Sequence, residues 1–316
     1  MNVYLCLTPL QCVIAEVLIK KDVANCFFVY IVDSDNEKSK AYYQRLKEAS
    51  DDGVYFVLSK NRFFNILKLI NLMRKLNKNV NNVFLASIDN IYMHISLSYL
   101  KYKEIYTFDD GFANIYKSGL YYLENSYPLY KRILYKIFGG RVTMKEIKKK
   151  TKKHFSIYPR TISNIVSADL VEEIEIFPVK SYLYGDEKKN LKNKTIKIFA
   201  GQPLFFSDDE KSKEIILSAI SYIKPDFYFP HPRESFSIGD VESINTSLII
   251  EDFVIHSLIN KPDTKFEIYS FFSSCLVNLY NVDNVSVIAI RCELLPYDEI
   301  YSLISEFSIK IIELEN

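Results

Sequence analysis

Short apolar runs punctuate the first part of the chain, at 3–7, 27–32, 54–58, 83–87 and 104–108, and each is rich in β-branched and aromatic side chains. Between them apolar positions recur with helical period, over about 9–20, 37–49, 62–77 and 89–100. Strand–helix alternation of this kind predicts parallel βαβ units and a doubly wound sheet. The segment 112–180 breaks the rhythm: it is crowded with tyrosine (Tyr116, Tyr121, Tyr122, Tyr127, Tyr130, Tyr135) and mostly helical in period. It then carries the basic run Lys145, Lys148, Lys149, Lys150, Lys152 and Lys153. Residues 185–194 are polar, with turn-forming types, and read as a linker.

After the linker the alternation restarts. Strands are expected at 195–200, 226–229, 266–270, 285–290 and 308–313, and helices at about 208–222, 247–260, from near Ser273, and at 297–306. The fold class expected is therefore α/β, with two doubly wound Rossmann-like domains, 1–184 and 185–316, facing a central cleft of the kind that takes nucleotide-bearing substrates. The tyrosine-rich and basic stretch forms an insertion in the first domain.

Composition narrows the classes. The 316 residues carry a net charge of +1, so no global field recruits nucleic acid. The five cysteines form no CxxC pair and share no metal-ligand spacing with histidine, which points to reduced thiols in a cytoplasm. The apolar start is interrupted by Pro9 and Gln11 and reads as a first strand rather than a signal sequence, and no apolar run is long enough to span a membrane. The lysine run fits either a solvated helix face or mobile loop, or attraction to an acidic glycan or to anionic lipid headgroups at the inner face of a membrane. Neither Gly-x-Gly-x-x-Gly nor Gly-Lys-Ser/Thr occurs.

The densest candidate chemistry is Tyr228-Phe229-Pro230-His231-Pro232-Arg233. A short strand ends at a proline, and His231 is clamped between two prolines that restrict its backbone. In open α/β sheets the C-terminal ends of strands are where ligands bind. Arg233 adds a forked cation suited to phosphate or carboxylate. The competing reading is a histidine merely satisfied within a loop. Upstream, Gly201-Gln202-Pro203-Leu204 leaves a strand, and Ser207-Asp208-Asp209-Glu210 has the form of a capping box, with one aspartate available as a general base. Ser273 and Ser274 follow an aromatic strand at a helix start, a place for phosphate as well as for capping. Glu251, beside Asp252, is a candidate for ribose hydroxyls or a solvated acid at a helix start. Asp109-Asp110-Gly111 ends an N-terminal strand as a turn or as cleft lining, whereas Asp33-Ser34-Asp35 reads as a turn capping the next helix and not as a metal motif.

Taken in order, Leu85-Ala86-Ser87, Phe108-Asp109-Asp110-Gly111, Pro230-His231-Pro232-Arg233, Ile250-Glu251-Asp252, Glu267-Ile268-Tyr269 and Phe271-Phe272-Ser273 resemble glycosyltransferase family 52, the bacterial lipooligosaccharide and capsule sialyltransferases. Cys6-Leu7-Thr8-Pro9-Leu10-Gln11 is similar to that family's first strand and loop. The resemblance implies a GT-B fold, with an acceptor-side first domain and a CMP-sugar-binding second domain. It implies an inverting transfer of sialic acid from CMP-sialic acid to a galactose-terminated glycan, with no metal and no other cofactor. By the same match His231 is the general acid that helps CMP leave, Ser273 with Ser274 holds the phosphate, and Glu251 holds the ribose. Gly201, Gln202, Pro203 and Arg233 fall on the donor side; Gln11, Asp109 and Asp110 fall on the acceptor side. Leu204 directly follows Pro203, a departure from the family's turn, so the base falls to Asp208 or Asp209.

Two other readings stay open: transfer of another sugar, such as a hexose from a UDP-sugar, and a non-catalytic protein that binds glycan or nucleotide. The acceptor, the linkage and the oligomeric state are also open, with peripheral membrane contact and a homodimer among the partners considered.

Overall fold

The computed structural model describes residues 1–77, 80–123, 129–177, 195–204, 209–231, 234, 236–295 and 297–314. The chain divides into two compact units, Met1–Ile176 and Phe177–Asn316. The expected boundary at 184/185 and the linker lie outside the described residues.

In the first unit the strands β1 (Asn2–Cys6), β2 (Cys26–Val32), β3 (Asp52–Val57), β4 (Asn82–Leu85) and β5 (Glu104–Phe108) alternate with α1 (Pro9–Lys21), α2 (Glu37–Ala49), α3 (Arg62–Leu76) and α4 (Ile91–Tyr99). After them come α5 (Leu129–Ile137), α6 (Met144–Lys150), β6 (Thr151–Ser156) and β7 (Val171–Glu173). All strands run parallel in the order β3-β2-β1-β4-β5-β6-β7. β1 and β2 are buried along their whole length. That is why both read as unbroken apolar runs rather than alternating ones: helices cover both faces of a parallel sheet.

The helices start where the sequence supplies caps. Thr8 precedes Pro9 and accepts from the Gln11 amide, Asn36 accepts from Ser39, and Asn61 accepts from Phe64. The chain bends at Asp33-Ser34 before α2, whose cap is Asn36.

One finding corrects the expectation of a mostly helical 112–180. The chain there returns to the sheet as β6 and β7, and the lysine run straddles an element boundary, Lys150 ending α6 and Lys152 and Lys153 lying in β6. An aromatic ladder explains how β6 is held. Tyr4 stacks on Phe84 at 4.4 Å between ring centroids, Phe84 on Tyr106 at 4.8 Å, and Tyr106 on Phe155 of β6 at 6.2 Å. Each such pair adds roughly 0.5–1.5 kcal/mol beyond its buried area. Lys148 is not a solvated lysine either: its ammonium donates to the Tyr121 carbonyl, and burial lowers its pKa.

The second unit contains β8 (Thr195–Ala200), α7 (Asp209–Ile223), β9 (Phe227–Phe229), α8 (Ile250–Asn260), β10 (Lys265–Ser270), α9 (Ser274–Leu279), β11 (Val285–Arg291), α10 (Asp298–Glu306) and β12 (Lys310–Glu313). Its five strands are parallel in the order β12-β11-β10-β8-β9. All five cysteines are free and buried. Among the described residues no helix is long and apolar enough to cross a membrane.

Candidate active site

From β8 the chain of the second unit first builds outward to β9, then returns to the other side of β8 to make β10. This reversal is a topological switch point, the kind of place where open α/β sheets bind ligands outside the C-terminal ends of their strands. Several of the residues expected on the donor side flank it. Gly201 and Gln202 leave β8, and Ser273 leaves β10. The Gln202 amide oxygen accepts from the Phe272 amide at 2.8 Å and from the Ser270 hydroxyl at 3.1 Å, and Ser270 also donates to the Ala200 carbonyl at 2.8 Å. These three bonds stitch the two exits together. Gln202 is thereby a buried scaffold residue that shapes the crevice, with its oxygen engaged by protein.

Ser273 is the N-cap of α9, its hydroxyl accepting from the Cys275 amide over a long 3.4 Å. Glu251 lies in the first turn of α8, buried, and its Oε1 accepts from Asn278 of α9 at 2.7 Å. Burial, and then the Glu251 charge, push the Cys275 thiol up to about 12. Thus Glu251 is drawn to the helix that begins at Ser273, and Cys275 stays a neutral thiol. Ser274 is the first residue of α9.

His231 lies two residues past the end of β9, the strand next to β8, and the Gly201 amide donates to the Phe229 carbonyl at 2.9 Å. His231 therefore lies at the same sheet edge as Gly201. Its turn is closed by a residue the sequence reading passed over. The Glu234 amide donates to the His231 carbonyl at 3.0 Å, and the Glu234 carboxylate accepts from the His231 amide at 3.1 Å. The same oxygen, Oε2, accepts from the Tyr228 hydroxyl at 2.8 Å. Burial dominates the ionisation of this carboxyl and pushes it up to about 7, against the pull of those two bonds. The sequence signal was an acid three residues beyond a clamped histidine. It is readable only once the turn is known, because a glutamate after Pro-Arg is otherwise an ordinary surface residue.

Asp208 and Arg233 lie outside the described residues, as do Pro232 and the Ser207 half of the expected capping box. Asp209 opens α7, and its side chain also lies outside the described part. Pro203 follows Gln202 in the β8 exit.

In the first unit the sheet reverses between β1 and β4, again a switch point. There Gln11 donates to the Ser87 hydroxyl at 2.7 Å and to Asp110, while Ser87 and the Tyr121 hydroxyl donate to the second Asp110 oxygen at 2.8 and 2.7 Å. Burial and the Asp110 charge raise the Tyr121 pKa, so Tyr121 remains a neutral donor. Gly111 takes φ +66°, the left-handed conformation that turns the chain just after Asp110.

Asp109, expected beside Asp110 on the acceptor side, points inward instead. It is fully buried, with Oδ1 2.9 Å from His154 Nε2 and Oδ2 accepting from the Ser156 hydroxyl at 2.8 Å and the Ile157 amide at 2.7 Å. It anchors β6 to the end of β5 and has no surface to offer a substrate. Strand alternation fixes the outcome, since neighbouring residues at a strand end face opposite ways.

Two parallel-sheet units in succession, each with polar residues gathered at its switch point, define a GT-B glycosyltransferase. The crystal structure of the glycotransferase of kitacinnamycin has the same fold, with TM-score 0.52 at 9% identity over 99% of this chain and 86% of that one. The family model of glycosyltransferase family 52 matches residues 23–294, and the chain belongs to that family. It is 31% identical to an N-acetyllactosaminide alpha-2,3-sialyltransferase of Haemophilus influenzae, over 98% of this chain and 99% of that protein. It is 29% identical to the CMP-N-acetylneuraminate:beta-galactoside alpha-2,3-sialyltransferase of Pasteurella multocida, over 99% of each. A third relative, an N-acetyllactosaminide alpha-2,3-sialyltransferase of Neisseria meningitidis, is 26% identical over 100% of this chain and 86% of that protein.

Proposed function

We propose that this glycosyltransferase moves sialic acid from CMP-sialic acid to a terminal galactose of a bacterial surface glycan, with inversion and without a metal ion. The reading is supported by full-length relatives named as sialyltransferases, together with Gly201 and Ser273 at the exits of β8 and β10 and His231 just past the neighbouring β9. The second unit takes the CMP-sugar and the first takes the acceptor, near Gln11 and Asp110. As the bond from the anomeric carbon to the phosphate oxygen breaks, positive charge develops on the sugar ring and negative charge on CMP. A protonated His231 donates to the departing phosphate, and the hydroxyls of Ser273 and Ser274 with nearby amides share its charge, which is the work a metal does elsewhere. Glu251 accepts from ribose hydroxyls. Asp209, or Asp208 beside it, takes the proton from the galactose hydroxyl as that oxygen attacks from the opposite face. Purified protein incubated in EDTA with CMP-sialic acid and a β-galactoside should release CMP and form a sialoside. UDP-hexose turnover in its place would establish the other-sugar reading.

We further propose that the enzyme works at the inner face of a membrane rich in anionic lipid. Phe63, Phe64 and Leu67 on α3 and Tyr130, Ile133 and Ile137 on α5 are large apolar side chains left exposed. Phe63 packs on Phe138 at 5.0 Å, which joins the start of α3 to the end of α5. Neither helix contains an acid, and both contain lysine and arginine. An apolar face with cations alone suits an anionic bilayer. A second copy of the chain fits less well, because an isologous contact would set like charges against each other. The protein should float with phosphatidylglycerol vesicles and not with phosphatidylcholine alone. Phe64→Ser with Ile137→Ser should abolish flotation, and an unchanged bound fraction would contradict this surface.

A further inference from the structure

We propose that Glu234 is the positioning residue of this active site: its carboxylate fixes the direction of His231 by tying both ends of the histidine's turn to Tyr228. The inference rests on the reading of His231 as the acid that assists departure of CMP.

His231 lies two residues past the end of β9, and Glu234 meets both of its backbone polar groups: the Glu234 amide donates to the His231 carbonyl, and the Glu234 carboxylate accepts from the His231 amide. The carboxylate bond is the acid half of a capping box, a glutamate reaching back to the amide three residues before it, here added to the backbone bond of a turn. A turn closed only on itself would still swing. Here the same Oε2 also takes the hydroxyl of Tyr228, a residue in the middle of β9 with 1% of its surface exposed, so the bond to the His231 amide is tied to the sheet. The His231 backbone is thus joined to the sheet core through the Glu234 carboxylate.

The neighbouring strand leaves room for it. A Cβ added at Gly201 would lie 2.4 Å from Glu234 Oε1 and 2.4 Å from the Tyr228 hydroxyl. Any other residue at Gly201 would therefore make the end of the Glu234 or Tyr228 side chain shift. Gly201 therefore has a reason to be glycine that is separate from contact with the donor. The arrangement is also costly in a way packing alone would not retain. Oε1 is buried and has no hydrogen-bond partner among the described residues. A buried acceptor left unpaired is a penalty, and a leucine of similar size would avoid it. Among the described residues, the turn and the tyrosine are what use the carboxylate.

Positioning and mere packing separate in kinetics. Glu234→Ala should lower kcat about 10–100-fold, the scale expected when a reacting group is misplaced by about an ångström, while KM for CMP-sialic acid changes less than about threefold. Glu234→Gln, which keeps an acceptor oxygen for the Tyr228 hydroxyl and the His231 amide, should recover most of that loss. The decisive variant combines Glu234→Ala with His231→Ala. If Glu234 acts through His231, the double variant should be no slower than His231→Ala within about threefold, because groups that act as a unit are not additive. CMP binding to each variant reports that the second unit is folded. Should Glu234→Ala fail to fold, Tyr228→Phe takes its place, with a loss of about 2–10-fold that again vanishes in the His231→Ala background. A multiplicative double variant, a change confined to KM, or an undiminished kcat in Glu234→Ala overturns the inference while the His231 reading stands. A near-normal kcat in His231→Ala overturns both.

Discussion

Replacing Glu234 by glutamine gives a stability signature whose size follows from the structure. Burial raises the carboxyl from its ordinary 4.5 to about 7. Below about pH 4.5 the folded and unfolded chains both hold the proton, and ionisation has no effect on stability. Between about pH 4.5 and pH 7 the unfolded chain gives up its proton while the folded chain keeps it, so folding is penalised by about 1.4 kcal/mol for each pH unit. Above about pH 7 both are ionised and the penalty is constant at up to about 3 kcal/mol. The stability associated with this group is therefore present in acid and lost as pH rises through its folded value. Glutamine keeps the acceptor oxygen and does not titrate. Any constant cost of placing its amide beside Gly201 drops out of the comparison. The chain has no tryptophan, so circular dichroism is the suitable probe. Denaturant unfolding of both proteins across about pH 5 to pH 8 should show the wild type losing up to about 3 kcal/mol relative to Glu234→Gln. Other titrating groups are common to both proteins and cancel. A difference that stays flat with pH, or one that favours the wild type as pH rises, would refute the assignment of Glu234 as a buried carboxyl held by burial near neutrality.

Other perturbations separate the chemical roles from the structural ones. His231→Ala should slow turnover by roughly 10²–10⁴-fold, the usual range for a lost general acid, with CMP affinity changed far less; a turnover close to normal would remove His231 from the chemistry. Asp208→Asn and Asp209→Asn should differ sharply, because successive positions entering a helix point about 100° apart. The Asp209 variant is expected to lose orders of magnitude in rate and the Asp208 variant at most ~1 kcal/mol of stability; equal and mild effects would send the search for the base elsewhere. Asp109→Ala should act on folding rather than on substrate, costing on the order of 3–5 kcal/mol by leaving the His154, Ser156 and Ile157 donors unpaired in the core. A fully stable Asp109→Ala protein with altered acceptor KM would return that residue to the substrate side.

Much of this architecture was legible in the chain: β1 at Asn2–Cys6 and β2 at Cys26–Val32 are buried along their whole length and appear as unbroken apolar runs, whereas β10 at Lys265–Ser270 shows itself by alternation, and all three lie within a residue or two of the positions expected. The edge of the first sheet was not legible. Thr151–Ser156 holds two lysines and a histidine, and what makes it a strand is the ring of Phe155 stacked at the end of a ladder that starts at Tyr4, a contact across most of the unit's length. Asp109 and Asp110 looked alike in sequence, yet alternation sends one to the core beside His154 and the other to the switch point beside Gln11. Gln202 was expected on the donor side, and the structure gives its oxygen to Ser270 and Phe272. Glu234 escaped notice because its importance lies in a turn, and turns closed by side chains have no period to read.

The central claim is that the switch point of the second unit handles CMP-sialic acid. Its most direct test is the release of CMP by the purified enzyme in EDTA, with and without a β-galactoside, followed by linkage analysis of the product. The account expects CMP release to rise with acceptor, a sialoside of inverted anomeric configuration to form, and the rate to survive the chelator. Turnover of a UDP-hexose with none of CMP-sialic acid, or activity lost to EDTA and restored by a divalent cation, would contradict it.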